Sequence, residues 1–363
     1  MLILATFAEV MTTVGYILIA LVALLLMVVI HELGHYLAGK LFKFKILEFA
    51  VGFGPAIKKW TNKKTGEVFS IRPIPLGGFC QFEDEDETSK SPTAFNNQAP
   101  WKRLIVLFAG AFFNFISAII IITMFFTFYG QVLPTIASVY EGSAAQEAGL
   151  MEGDVVLRYN GSQVNVLLQD DFQVKVRSGG DTGTFTVLRN GKVHTFRATK
   201  REYSYDANAG KDLPADIKTV VGFGFSSYLG PVRLGFFRSL GRSFSFIFYV
   251  VWQILLVFGR LITGQIPLKE AAGGPVAVVD TMQQATRAGL ASLSFVVCLI
   301  SANLAVMNLL PLPALDGSRM VFCIIEWIRG KPINKKVEGI IHTVGFFALF
   351  AFAILADVIR LVT

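Results

Sequence analysis

Residues 14–37 read VGYILIALVALLLMVVIHELGHYL. Seventeen uncharged, mostly aliphatic residues lead into His31-Glu32-Leu33-Gly34-His35. At about 1.5 Å per residue, a helix from Val14 to His31 rises about 25 Å, close to the thickness of a bilayer's hydrocarbon core. The run therefore reads as a membrane-spanning helix with three ionisable groups in its inner part. Such groups are costly at membrane depth and mark function. Positions i and i+4 share one helix face, so the pattern H-E-x-x-H presents His31 and His35 to a single zinc ion. Glu32 stands beside the first ligand, where it can accept a proton from water and pass it to a leaving amine. The chain has only four histidines, so this pairing is not a by-product of abundance. The plainer alternative, two histidines bonded to neighbouring helices, leaves Glu32 unexplained.

Composition agrees with a membrane protein. The 363 residues are 53% hydrophobic and only 16% charged, where soluble domains run nearer one quarter. Further apolar runs lie at about 104–129, 290–312 and 340–362, giving four spans. The N-terminus does not read as a typical secretory signal and is expected to be the start of a retained span. The net charge of +7 fits cytoplasmic loops and lipid headgroups, and no nucleic-acid partner is expected. Cys80, Cys298 and Cys323 form no disulfide pattern. Between the first two spans, Phe44–Val51 and Glu67–Ile71 read as strands separated by the turn at 62–66, and the acidic run Glu83–Glu87 reads as a solvated loop. Residues 131–203 alternate short β-type runs with turns and read as a separate domain. The expected organisation is residues 1–130 as the first half of the membrane core, 131–203 as the inserted domain, 204–287 as a linker with an interfacial helix, and 288–363 as the second half of the core.

Charge sets the orientation. The loop from Ala38 to Arg103 carries eleven Lys and Arg, and the first 39 residues of the chain carry none. The positive-inside rule makes that loop cytoplasmic and the N-terminus exterior. A catalytic zinc usually takes three protein ligands. His194 is on the exterior side; His342 is possible; Asp316, closing Asn308-Leu-Leu-Pro-Leu-Pro-Ala-Leu-Asp316-Gly317, fits better. Pro311 and Pro313 break the helix there, which at membrane depth requires a protein or water environment. For Asp316 to end on the same face as His31, the ambiguous stretch Leu234–Ile262 must not cross. It is assigned to the outer interface, with Arg233, Arg238, Arg242 and Arg260 towards headgroups.

His31–His35 together with Asn308–Gly317 resembles the site-2 protease family of intramembrane zinc metalloproteases, in particular the bacterial regulator-of-sigma-E branch that releases membrane-bound anti-sigma factors. The likeness includes Val51–Pro55, Ile74–Gly78, Trp101–Arg103, Gly110 with Asn114, and Gly273–Pro275. It implies a polytopic α-helical membrane protein with four transmembrane helices, an inserted β-rich PDZ domain and a membrane-associated β-hairpin loop. It implies Zn2+ held by His31, His35 and Asp316, with Glu32 catalytic. It also implies substrate contacts at Asn303, Asn308 and Pro311, and at Gly52 and Gly54 of the loop, where substrate adds as a strand. Two departures stand out: Gly110-Ala111 in place of Gly-Pro, and Ser318-Arg319 in place of Gly-His or Gly-Arg. Gly142–Leu150 with Gly153-Asp154 resembles the PDZ domains of bacterial envelope proteases. By that resemblance, the expected substrates are single-span membrane proteins such as anti-sigma factors or remnant signal peptides, trimmed first by an upstream site-1 protease. The expected location is a bacterial cell membrane, with both termini outside and the site near the cytoplasmic side. The rival readings are a catalytically inactive membrane scaffold with a peptide-binding PDZ domain, disfavoured by Glu32, and a metal transporter, disfavoured by the lack of internal repeats.

Overall fold

The computed structural model describes residues 7–83, 91–167, 171–208, 214–267 and 273–362. Most of the acidic run 83–87 lies outside the described residues. Five described helices are long and apolar enough to cross a membrane. They are α1 (Phe7–Leu41), α2 (Pro100–Phe128), α5 (Phe236–Ile262), α7 (Leu290–Leu309) and α9 (Lys335–Val362). Shorter helices are α3 (Ala144–Glu147), α4 (Asp171–Ser178), α6 (Pro275–Arg287) and α8 (Asp316–Arg329). Two compact units result, residues 1–122 with 250–363, and residues 123–249.

In the first unit, α1 is 35 residues long, more than a bilayer core requires. Its extra turns carry a small sheet. The strands are β1 (Ile46–Phe53), β2 (Lys58–Thr61), β3 (Val68–Ile71) and β4 (Ile74–Phe82), in the order β2-β3-β1-β4. This corrects the expected hairpin. The turn at 62–66 joins β2 to β3, and β1 runs parallel to β3. The extra strand β2, Lys-Lys-Trp-Thr, is exposed along its whole length and so has no apolar alternation to reveal it. Its lysines suit an edge strand. β4 was hidden by Pro75 and Gly77-Gly78, which read as loop residues but are tolerated on an edge. Buried Glu67 fixes this sheet to α1, accepting from Lys40 Nζ at 2.5 Å and the Tyr36 hydroxyl at 3.2 Å. Phe44, Ile46 and Phe82 pack with Phe95, Val106 and Leu107 in one core cluster.

The second unit is built on a six-stranded sheet of β5 (Gln131–Val139), β6 (Val155–Tyr159), β7 (Ser162–Gln163), β8 (Thr182–Arg189), β9 (Lys192–Thr199) and β12 (Phe225–Val232). β12 pairs antiparallel with β5 along its length, so the sheet continues beyond the expected boundary at Tyr203. A separate hairpin, β10 (Arg201–Asp206) and β11 (Ile217–Gly222), occupies part of the expected linker. The core contains Ile136, Val156, Phe185 and Phe223. Fully buried Asp154 makes a two-pronged pair with Arg189 at 2.6 Å per bond and caps Met151 N–H, which gives the Gly153-Asp154 pair a structural role.

The N-terminal half of α5 belongs to this unit. Ser239, Arg242, Ser243, Phe246 and Ile247 are buried at helical spacing, while Phe237, Phe244 and Phe248 on other faces are exposed. Arg242 corrects an expectation: it is buried and donates to Gln131 Oε1, the Leu157 carbonyl and the Val164 carbonyl instead of reaching headgroups. A guanidinium has five donors, and a strand end offers unpaired carbonyls to meet them.

Candidate metal centre

One helical turn separates His31 from His35, and both rings face α2. The approach is close because Gly34 and Gly110 lack side chains at the crossing. A Cβ on Gly34 would stand 2.3 Å from the Ala109 carbonyl oxygen, and one on Gly110 2.3 Å from His35 Nε2. The Gly110-Ala111 departure from the resembled pattern therefore keeps the residue that the imidazoles need.

Asp316 arrives from the other half of the chain. Pro311 and Pro313 end α7, Ala314 turns the chain with a φ of 73°, and Asp316 opens α8. His342, a possible ligand on sequence grounds, holds this bend from α9: its Nδ1 accepts from Ala314 N–H at 3.1 Å. His194 is exposed in the second unit.

The three remaining candidates converge. His31 Nε2 lies 3.0 Å and His35 Nε2 3.2 Å from Asp316 Oδ2, and the two nitrogens are 3.2 Å apart. Tetrahedral ligands about 2.0–2.1 Å from zinc stand about 3.3 Å from one another. His35 Nδ1 donates to the Val106 carbonyl at 2.8 Å, which places the lone pair on Nε2. Asp316 Oδ2 is buried and has no hydrogen-bond donor. Three electron-pair donors facing one point without a hydrogen between them fit a cation. As ligands, Asp316 would be the carboxylate and both imidazoles neutral.

The donor set borders a cavity of about 590 Å³. Glu32 lines it, as do Phe79 and Gln81 of β4 and Arg319 of α8. Among the described residues, His31, His35 and Asp316 are the group of three such side chains placed to hold a metal.

A model of peptidase family M50 matches residues 19–352. The chain belongs to peptidase family M50. It is 31% identical over 345 residues to a protein of Clostridium perfringens named as a zinc metalloprotease, covering 94% of this chain and 97% of that one. A Fusobacterium nucleatum protein of the same description is 31% identical over 346 residues, covering 94% and 97%. One from Bartonella henselae is 31% identical over 359 residues, covering 90% and 98%. The chain is accordingly a zinc metalloprotease of the site-2 protease family.

Not every expected site residue borders the M50 cavity. Asn303, Asn308 and Pro311 are absent from its wall. Gly52 and Gly54 flank Phe53, which does line it, and both have left-handed φ angles, 90° and 96°. Their visible role is to shape the end of β1. The strand character of β4 was not read from its residues, because a glycine-rich, proline-containing stretch has no strand signature, although Ile74–Gly78 was part of the family likeness.

In the second unit, a cavity of about 580 Å³ lies beside β12 and α4, bordered by Gly222-Phe223-Gly224-Phe225. The PDZ-like stretch Gly142–Leu150 does not border it; Leu150 is buried in the core with Ala144 and Ala145. The clue available in the sequence was the alternating glycine-phenylalanine run itself.

Proposed function

We propose that this zinc metalloprotease hydrolyses peptide bonds in or near the transmembrane segments of single-span membrane proteins already trimmed on the outside by a site-1 protease, anti-sigma factors and remnant signal peptides being the fitting classes. The convergence of three ligand atoms and Glu32 on one cavity beside membrane-length helices carries this reading. His31, His35 and Asp316 would hold the ion. Zinc supplies Lewis acidity for the scissile carbonyl and for water. Glu32 takes the proton of the attacking water and returns it to the leaving amine. A helical substrate hides its peptide groups, so it must unwind first. β4 is an edge strand along the cavity wall, where an unwound substrate could add as a further strand.

Four spans with both ends outside a bacterial cell membrane fit the same site. His35 faces Val106 and His31 faces Asn114, so α1 and α2 are antiparallel. Asn114 meets Ser301 and Ala118 meets Cys298, so α2 and α7 are antiparallel. α1 and α7 therefore run the same way. If both cross from outside to inside, α5 cannot cross once between them. Its face-segregated residues suit the outer interface. The second unit, PDZ-like in its sequence motif, would then lie outside and filter substrates by size, with the β12–α4 cavity available to a trimmed chain end.

Purified full-length protein incubated with a single-span substrate tests the reading. The wild type should cut within or near the span, and Glu32→Gln should hold zinc without cutting. Cleavage by Glu32→Gln at the wild-type rate would overturn the mechanism.

A further inference from the structure

His35 has an evident second partner, the Val106 carbonyl; His31 has a less obvious one. A ligating imidazole presents its Nε2 lone pair to the metal, so its hydrogen is on Nδ1. In a buried site that hydrogen requires an acceptor. Among the described residues, the neighbour of His31 Nδ1 is the side-chain amide of Asn114, fully buried on α2, with Nδ2 at 3.4 Å. In that orientation two donors face each other, and Asn114 Oδ1 is buried with no partner. Amide oxygen and nitrogen differ only by a half-turn of the terminal group. Turned, Oδ1 accepts the His31 Nδ1 hydrogen.

We infer that Asn114 is a positioning residue for the zinc ligand His31, fixing its tautomer and ring angle through Oδ1. The inference rests on His31 being a ligand, as proposed above. Asn114 is itself well anchored. Its backbone carbonyl accepts from Ser117 Oγ at 2.8 Å and from Ser301 Oγ at 3.0 Å, and those hydroxyls are 2.7 Å apart. Ser301 belongs to α7, the helix that leads to Asp316. One residue thus links the ring of His31 to the segment that delivers the third ligand. α2 serves both imidazoles, one through a main-chain carbonyl and one through a side chain, and only the second is open to substitution.

The test is zinc affinity of the full-length protein, measured by competition with a chromogenic chelator. Asn114→Leu keeps the approximate volume and removes the acceptor; its affinity should fall about 10–100-fold, the usual cost of losing such a partner. Asn114→Asp restores an acceptor and should hold zinc at least as tightly as wild type. The Co2+-loaded Asn114→Asp protein should also show a shifted visible absorption band, because a carboxylate makes the imidazole a stronger donor. Wild-type affinity in Asn114→Leu, or an Asn114→Asp protein as weak as Asn114→Leu, would overturn the inference. If Asn114→Leu does not fold, an unshifted Co2+ band in Asn114→Asp does so alone. His31→Ala is the separate control: if it retains wild-type zinc affinity, the ligand reading has failed, not the positioning one.

Discussion

Gly110 shows how narrow the tolerance is at the metal centre. A methyl group there would occupy space 2.3 Å from His35 Nε2 and 2.8 Å from His31 Cε1. Gly110→Ala should therefore push the imidazoles out of ligand geometry. Helix propensity alone would gain about 1 kcal/mol from the change. The expected result is a protein with unchanged helicity by circular dichroism and reduced zinc content by metal analysis. Full zinc occupancy with full activity would show that the helices separate freely. His31→Ala, His35→Ala and Asp316→Ala should each lower zinc content, whereas Glu32→Gln should not, because Glu32 is placed to move protons and the other three to donate electron pairs. The H-E-x-x-H pattern was readable because two candidate ligands and a candidate base lie within five residues of one helix. Asp316, almost 300 residues away, was reachable only through the requirement for a third ligand and the helix-breaking prolines.

At the level of elements, α8 must be held so that its first residue meets α1. Its far end is fixed by a buried ion pair, Arg103 Nη1 to Glu326 Oε2 at 2.6 Å, and Glu326 also accepts from Ile333 N–H. Burial raises the Glu326 acid, and the Ile333 amide and Arg103 together outweigh it, leaving it below the usual carboxylate range. A depressed folded-state pKa means stability present above the unfolded value of about 4.3 and lost as pH falls through the folded one. Thermal unfolding in detergent should show that acid-side loss, and it should shrink in an Arg103→Leu/Glu326→Leu double variant. Arg103→Leu alone, which strands a buried carboxylate, should cost about 3–5 kcal/mol, more than the double change. Equal costs would mean that the pair is not coupled. The helices were legible from long apolar runs, whereas β2 and β4 were not. Strand periodicity needs one buried and one exposed face, and neither the fully exposed β2 nor the Gly-Pro-bearing β4 provides it.

For the whole molecule, the direction of each span is the testable quantity. In a cysteine-free background, cysteines placed at Lys63 and Lys335 should react from the cytoplasmic side, and those at Asn190 and Thr363 from the outside. A cytoplasmic Thr363 would mean that α5 crosses and that α1 and α7 are not both spans of the same sense. Excision of the second unit also has to respect the sheet. Ending a deletion at Tyr203 would leave β12 without β5, so such a protein should aggregate, whereas a cut through Val232 removes both strands. Size-exclusion chromatography of the two deletions separates these outcomes. Composition and spacing alone carried the membrane class, His31 and His35 as candidate ligands, Glu32 as candidate base and the positions of four apolar runs. These are properties of composition and of spacing along one helix. Only the tertiary structure decided that β12 completes a sheet begun at β5, that Arg242 is buried within the second unit, and that α2 lies against both imidazoles. Each of those depends on which surfaces meet, and main-chain carbonyls such as that of Val106 look the same at every position until the fold brings one of them to a ring.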